Sequence, residues 1–187
     1  MPPKVKITKE DIITKAVDIV RENGAASLNA RSIAAGLECS TQPIFSNFHS
    51  MEELKLSVVS AAEEIYQSYI VWEISQEKYP PYKASGMAYI RFAREERELF
   101  RLLFMRDRSG EVFEQKTMAA DGAVEILQRN TGLSEEEAAI FHLEMWAYVH
   151  GIAAMMATGF LELEEELISR MLTDSYLGMR KQYEKGE

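Results

Sequence analysis

Residues 29–48 read NARSIAAGLECSTQPIFSNF, and their pattern of apolar and polar residues is the most informative in the chain. The apolar residues recur at helical spacing on both sides of a tight connection at about Leu37–Cys39, which predicts two short helices joined by a turn. Asn29 and Ser40 stand where these helices begin, and both residue types are favoured N-caps. An earlier helix, capped by Thr8, is predicted to pack across the pair. The arrangement indicates a helix-turn-helix.

The second short helix carries the polar side chains expected to read DNA. The major groove admits one helix, and the apolar side chains of that helix must face its neighbours. Gln and Asn pair with adenine, Ser and Thr adapt to either partner, and Arg binds guanine or phosphate. N–H groups at a capped helix start, here at Ser40, hold phosphates. The side chains predicted to contact DNA are Arg31, Thr41, Gln42, Ser46 and Asn47.

This set of motifs resembles the TetR family of transcriptional regulators. The resemblance runs without a gap over residues 8–56, and its positions are Asn29, Ile33-Ala34, Cys39-Ser40, Phe45, Phe48 and Ser50-Met51-Glu52-Glu53-Leu54. It implies a helix-turn-helix DNA-binding domain at residues 1–50 and a helical ligand-binding and dimerisation domain at residues 51–187.

Three positions depart from the family pattern. Glu38 replaces the turn glycine, so a left-handed backbone there would be strained by about 1 kcal/mol. Phe45 replaces a tyrosine that contacts phosphate, and Met51 replaces a lysine near phosphate. By resemblance, Phe45 and His49 join the DNA-contacting residues. His49 is expected to compensate for the lost contacts, together with Lys4, Lys6 and Lys9.

Helical periodicity continues to the C-terminus, and strand-like alternation is absent. The predicted fold is all-α, with about nine helices: a three-helix head joined by a long helix to a helical bundle. Ser50 and Glu53 have capping-box spacing and open the long helix. Further helices are predicted at roughly 82–96, 97–106, 110–130, 134–159 and 163–184.

The C-terminal portion is rich in aromatic residues and methionine, which fill cores and also form adaptable apolar pockets. Core packing is the simpler interpretation for most of them. By resemblance, a small apolar or aromatic effector molecule binds between the fourth and eighth helices, with Arg94, His142 and Glu144 as candidate polar anchors. The predicted ligand-binding residues are Tyr66, Tyr69, Tyr89, Phe92, Phe104, Met105, Met118, Met145 and Trp146.

The last two helices are predicted to form a homodimer interface. Small residues permit close helix approach, although an intramolecular helix pair would need the same residues. By resemblance, the interface is a four-helix assembly made from two copies of each helix, with Gly151, Ala154, Ile168, Leu172 and Tyr176. Such a dimer presents two heads to major grooves about 34–36 Å apart on a near-palindromic site.

Charge is distributed unevenly along the chain. The net charge is −9, and of 21 basic and 30 acidic residues only six and five lie in residues 1–50. Any phosphate contact is therefore expected at the N-terminal end. The charge, Phe45 and Met51 favour one alternative: a helical interaction protein with degenerate DNA binding.

Motifs of the common enzyme and metal-binding classes are absent. The sequence contains no HExxH, CxxC, GxGxxG or GxSxG, so we expect no enzyme, no cofactor and no metal. It has one cysteine and no N-terminal apolar signal core. Its longest apolar run, residues 145–161, is shorter than the roughly 20 residues of a membrane span. These features predict a cytoplasmic protein without a membrane partner.

Overall fold

The computed structural model describes residues 7–107 and 122–183. Within these ranges the chain forms nine α-helices and no strand, which confirms the all-α prediction. The helices are α1 Lys9–Asn23, α2 Ala30–Gly36, α3 Gln42–Asn47, α4 Met51–Ser75, α5 Pro81–Glu95, α6 Arg97–Phe104, α7 Ala123–Thr131, α8 Glu135–Ala157 and α9 Glu165–Tyr183. The N-terminal part of the helix predicted at 110–130 lies outside the described residues.

Local capping explains where α1 and α2 begin. The Thr8 hydroxyl accepts from the Asp11 amide at 3.1 Å, and the Asp11 carboxylate accepts from the Thr8 amide at 2.9 Å. The Asn29 side chain accepts from the amides of Arg31 and Ser32, both at 3.0 Å. Both predicted N-caps are therefore confirmed.

The predicted cap of α3 is wrong. Its N-cap is Thr41 rather than Ser40, and the Thr41 side chain makes no capping hydrogen bond. An N-cap side chain accepts from the N–H of the second or third helical residue. The second residue here is Pro43, which has no N–H, so one of the two groups that a cap would satisfy is missing.

Contacts group the chain into two compact units. The first consists of the described part of Met1–Tyr66 together with Glu96–Arg106. In it, α1 packs against α2, α3 and α6. Its largest fully buried side chains include Ile12, Ile33, Ile44, Phe48 and Leu99. This unit extends beyond the DNA-binding domain predicted at residues 1–50, because it also takes in the first part of α4 and all of α6.

The second unit consists of Gln67–Glu95 and the described part of Asp107–Glu187. Its main interface joins α5 to α8, and α7 and α9 pack against both helices. Two tyrosine–histidine hydrogen bonds link α5 to α8: Tyr82 to His142 Nδ1 at 3.1 Å and Tyr89 to His150 Nδ1 at 2.8 Å. No helix in the described ranges is long and apolar enough to cross a membrane.

Candidate functional site

The short helix α3 is held from behind and exposed in front. Ile44 is fully buried and Phe48 is 2% exposed, whereas Phe45 is 54% exposed. The Lys9 ammonium of α1 lies 4.7 Å from the centre of the Phe48 ring and covers it. The apolar back of α3 therefore packs against α1, and its outer face is exposed.

The predicted DNA-contacting residues differ in exposure. Thr41 and Asn47 are half-buried, and the remaining six are exposed: Arg31, Ser40, Gln42, Phe45, Ser46 and His49. Two of the polar side chains bond to α3 itself, since Ser46 Oγ donates to the Gln42 carbonyl at 2.9 Å and Asn47 Nδ2 donates to the Pro43 carbonyl at 2.8 Å. The side chain of Gln42 makes no hydrogen bond within the described residues, so its amide remains available for hydrogen bonding.

The turn between α2 and α3 contains the expected left-handed residue. Glu38 has a φ of 51°, a conformation that glycine adopts without steric cost. The turn is closed by the Cys39 amide, which donates to the Ala34 carbonyl at 2.9 Å. A non-glycine residue therefore holds the turn in a strained backbone.

The start of α4 is tied to α1 through Glu53. Ser50 Oγ accepts from the Glu53 amide at 3.1 Å, while Glu53 Oε2 accepts from the His49 amide at 2.8 Å and Oε1 lies 3.3 Å from Lys9 Nζ. The His49 amide and the Lys9 ammonium lower the pKa of Glu53. Lys9 is thus engaged within the protein, and Lys4 and Lys6 lie outside the described residues.

The predicted ligand-binding residues form several separate clusters. Tyr66 and Phe104 meet edge-to-face at 5.4 Å in the first unit, and Tyr69 and Phe92 do so at 5.4 Å in the second. Trp146 stacks on His150 at 5.1 Å, and Tyr89 bonds to the same imidazole. Met145 belongs to the core cluster around Phe141, and Met105 is 44% exposed. Met118 lies outside the described residues, and a ligand at these residues stays a prediction.

A cavity of about 460 Å³ lies elsewhere in the second unit, between the C-terminal end of α4, α5 and the start of α9. Its apolar lining comes from Met87, Ile90 and Ile168. The aromatic and charged lining consists of Trp72, Glu73, Lys78, Arg91, Arg94, Glu95 and Glu165. Of the polar anchors expected from the sequence, Arg94 lines this cavity.

The charged groups of the cavity are unequally paired. Lys78 Nζ lies 2.6 Å from Glu165 Oε1, and Arg91 Nε lies 2.9 Å from Glu95 Oε1. Glu73 is only 6% exposed, and its carboxylate lies 3.8 Å from Arg91 Nη1. Burial raises the pKa of Glu73, and Arg91 partly opposes this effect. Glu73, the most buried carboxylate of the cavity, therefore has a longer ion pair than Glu95 or Glu165.

Sequence reasoning missed Trp72 and Glu73 as site residues, although the pattern of α4 contains a signal for Glu73. The buried positions of this helix run Leu54, Val58, Ala62, Ile70 and Glu73 at helical spacing. A carboxylate that continues a buried apolar stripe is unusual, because burying a charge is costly unless it is paired.

The predicted dimer residues have mixed surroundings. Ile168 and Leu172 are each 3% exposed within a single chain, and a Cβ added to Gly86 would lie 3.3 Å from Leu172 Cδ1. Tyr176 packs edge-to-face on Phe141 at 5.3 Å. These three side chains serve the protomer's own packing, as the intramolecular alternative required. Gly151 and Ala154 are half-exposed on α8.

The first unit has a helix-turn-helix with an exposed third helix, and the second unit is a helical bundle that contains a cavity. These two features together define a helix-turn-helix regulator. Residues 82–175 match the tetracyclin repressor-like C-terminal domain family. This match covers half of the chain, and the chain belongs to the TetR family of transcriptional regulators. Members of this family are DNA-binding regulators rather than enzymes.

Solved structures share the fold at low sequence identity. A TetR-like transcriptional regulator from Rhodococcus sp. RHA1 is 14% identical, covers 100% of both chains and has a TM-score of 0.65. A TetR-family member from Streptomyces coelicolor A3 is 17% identical, covers 89% of this chain and 96% of its own, and has a TM-score of 0.62. The multidrug binding protein EbrR, complexed with imidazole, is 18% identical over 89% of this chain and 93% of its own, with a TM-score of 0.60. No curated protein matches the chain significantly in sequence.

Proposed function

We propose that this chain is a ligand-responsive, cytoplasmic repressor that binds a near-palindromic operator as a homodimer. The observation that carries the proposal is the geometry of α3, whose apolar back is buried while Gln42, Phe45 and Ser46 are exposed. Repression is the expected mode of control, because a protein that occupies a promoter blocks access of polymerase to it. DNA binding also places the protein in the compartment that contains the DNA.

An exposed apolar face on α8 and α9 supports the homodimer. Ile140 and Leu143 on α8 and Leu167 and Leu177 on α9 are each 45% to 49% exposed. On α8, Ile140 and Leu143 are followed at helical spacing by Ala147, Gly151 and Ala154. A Cβ at Gly151 would meet open space. Exposed apolar patches of this kind mark association surfaces. We therefore move the proposed interface from Ile168, Leu172 and Tyr176 to this face.

The cavity beside α4 supports ligand responsiveness. Its volume falls within the range of about 300–1,000 Å³ that is usual for small-molecule sites. The similar fold of a multidrug binding protein is consistent with a ligand in this unit. Because α4 supplies residues to the first unit and, through Trp72 and Glu73, to the cavity wall, a ligand that displaces α4 is expected to change the population of DNA-binding conformations.

Genome-wide footprinting with purified protein at two salt concentrations tests the DNA-binding part of the proposal. We expect a near-palindromic site whose affinity falls steeply with salt. If no duplex sequence is preferred over bulk DNA while a protein partner is retained, the chain is instead the helical interaction protein with degenerate DNA binding.

The dimer is tested separately by sedimentation of Leu143→Asp, which places a charge on the proposed face. Leu56→Asp is the matched control, because Leu56 is 69% exposed on α4, outside this face. We expect Leu143→Asp to sediment as a monomer and Leu56→Asp as a dimer. Equal dimer fractions in both variants would contradict the proposed interface.

A further inference from the structure

The cavity beside α4 contains a buried carboxylate whose negative charge has no close positive partner among the residues that the structure describes. Glu73 is 6% exposed, and the 3.8 Å between its Oε2 and Arg91 Nη1 is too long for a strong charge-assisted hydrogen bond. Arg91 directs its Nε to Glu95 instead, at 2.9 Å. Burial of a charge in this state costs free energy unless another group pairs with it.

Arg91 indicates which kind of chemical group fits against the cavity wall. Its guanidinium lies 4.1 Å from the centre of the Trp72 ring, so a planar cation already rests on the indole between two carboxylates. The side chain of Arg91 is 33% exposed, so solvent already reaches it. The cavity, at about 460 Å³, also has room for more than a guanidinium.

We infer that this cavity binds a flat organic cation, such as an aromatic amidinium, which replaces the Arg91 guanidinium against Trp72 and pairs with Glu73. Such a ligand combines a cation–π contact with a charge-assisted hydrogen bond. The direction in which burial shifts the pKa of Glu73 agrees with a carboxylate that lacks sufficient compensation.

A neutral or anionic ligand fits these groups less well. An anion would place a second negative charge beside a buried carboxylate, where the low dielectric strengthens repulsion. A neutral ligand brings no positive charge to compensate the carboxylate of Glu73. The net charge of −9 also attracts cations and repels anions at long range. The inference rests on the proposed function only for its consequence at the operator, since ligand binding itself is measurable without DNA.

Isothermal titration calorimetry with three ligands of one shape tests the inference. Naphthalene-2-carboxamidine, naphthalene-2-carboxamide and naphthalene-2-carboxylate carry charges of about +1, 0 and −1 at neutral pH. We expect the amidine to bind at least about 10-fold more tightly than the other two, because a hydrogen bond to a charged group contributes roughly that factor. Equal affinities, or tighter binding of the carboxylate, would overturn the inference.

Two substitutions separate this site from nonspecific attraction. Glu73→Gln keeps the shape of the side chain and is expected to weaken amidine binding about 10- to 100-fold, while leaving the melting temperature unchanged or higher. Arg91→Ala removes the competing cation and is expected to strengthen amidine binding about threefold or more. Glu166→Gln, an exposed neighbour that does not line the cavity, is the control with the same charge change.

The possible outcomes separate failure of the ligand site from failure of the proposed function. Weaker amidine binding in Arg91→Ala, or unchanged binding in Glu73→Gln, overturns the site. If the amidine binds as expected but does not release operator DNA in a gel shift, the site stands and the ligand-responsive part of the proposed function fails. If operator DNA is bound specifically but the amidine does not bind, the regulator stands and the site fails.

Discussion

Arg21 on α1 donates through Nε to Glu96 Oε2 over 2.7 Å, which joins the helix behind α3 to the start of α6. The neighbouring Gly24, with a φ of 77°, ends α1 so close to α6 that an added Cβ would lie 3.0 Å from Glu98 Oε2. A helix that begins some seventy residues later in the sequence is thereby part of the same compact unit as α1.

The Arg21–Glu96 pair is expected to couple α1 and α6 energetically. Glu96 is only 14% exposed in its side chain, so solvent screens this pair less than a typical surface pair. A double-mutant cycle with Arg21→Ala and Glu96→Gln should give a coupling of about 0.5–1 kcal/mol in urea unfolding. The exposed Arg170–Asp174 pair, 79% and 67% exposed, should give about 0.5 kcal/mol or less. Strictly additive effects at Arg21 and Glu96 would contradict the coupling.

Replacing Glu38 with glycine is expected to stabilise the head. Glu38 has a left-handed backbone, and relief of this strain should raise the free energy of unfolding by about 1 kcal/mol. The same substitution at the exposed Glu63, inside α4, should lower it by about 1 kcal/mol because glycine disfavours helix. Urea unfolding of both variants measures the two signs. A destabilised Glu38→Gly variant would show that Glu38 makes a compensating contact.

Gln42 and Asn47 are expected to contribute unequally to base recognition. Asn47 already donates to the Pro43 carbonyl, whereas the Gln42 amide is available. Gln42→Ala should reduce discrimination at one base pair of each half-site by about 1–3 kcal/mol, and Asn47→Ala should reduce it less. Competition binding with single-base operator variants, once footprinting has found the operator, measures both. A larger loss of specificity in Asn47→Ala would reverse the assignment.

His150 is expected to make stability depend on pH below neutrality. Burial lowers the pKa of its imidazole from the usual 6.5, so the unfolded chain takes up this proton at a higher pH than the folded chain. The stability that neutral His150 contributes is therefore complete above pH 6.5 and is lost as the pH falls toward the folded value. His150→Asn should flatten the dependence between about pH 7.5 and 5.5, compared with the wild type in urea unfolding.

The control for this pH dependence is His49→Asn, since His49 is exposed at the end of α3. We expect the His49 variant to keep the slope of the wild type. If instead both variants flatten the slope equally, or neither does, burial of His150 is not its source.

Several parts of the fold were predictable because they depend on neighbours in sequence. Thr8 and Asn29 cap α1 and α2 through residues two or three positions away, and such contacts are visible in a one-dimensional pattern. The prediction for Ser40 failed for an equally local reason, the absent N–H of Pro43, which the same pattern contained.

The candidate ligand site was not predictable in the same way. The abundance of aromatic residues and methionine predicted Tyr89, Phe92 and Met145 as ligand-binding residues, but all three are buried in the core. The cavity instead depends on how the end of α4 meets α5 and α9, and side chains from three helices are brought together only by that packing. Periodicity identifies the buried face of one helix but does not say which other face it meets.

The helices, the caps of α1 and α2 and the helix-turn-helix were all legible in the amino-acid sequence, since each follows from interactions within a few residues along the chain. The pairing of Glu73 with Arg91, and the burial of Ile168 and Leu172 within their own protomer, became visible only in the folded chain. An apolar or charged stripe on a helix indicates that its residues are buried or paired, but it does not identify the residues that they contact. Those contacts are selected by the packing of the whole chain.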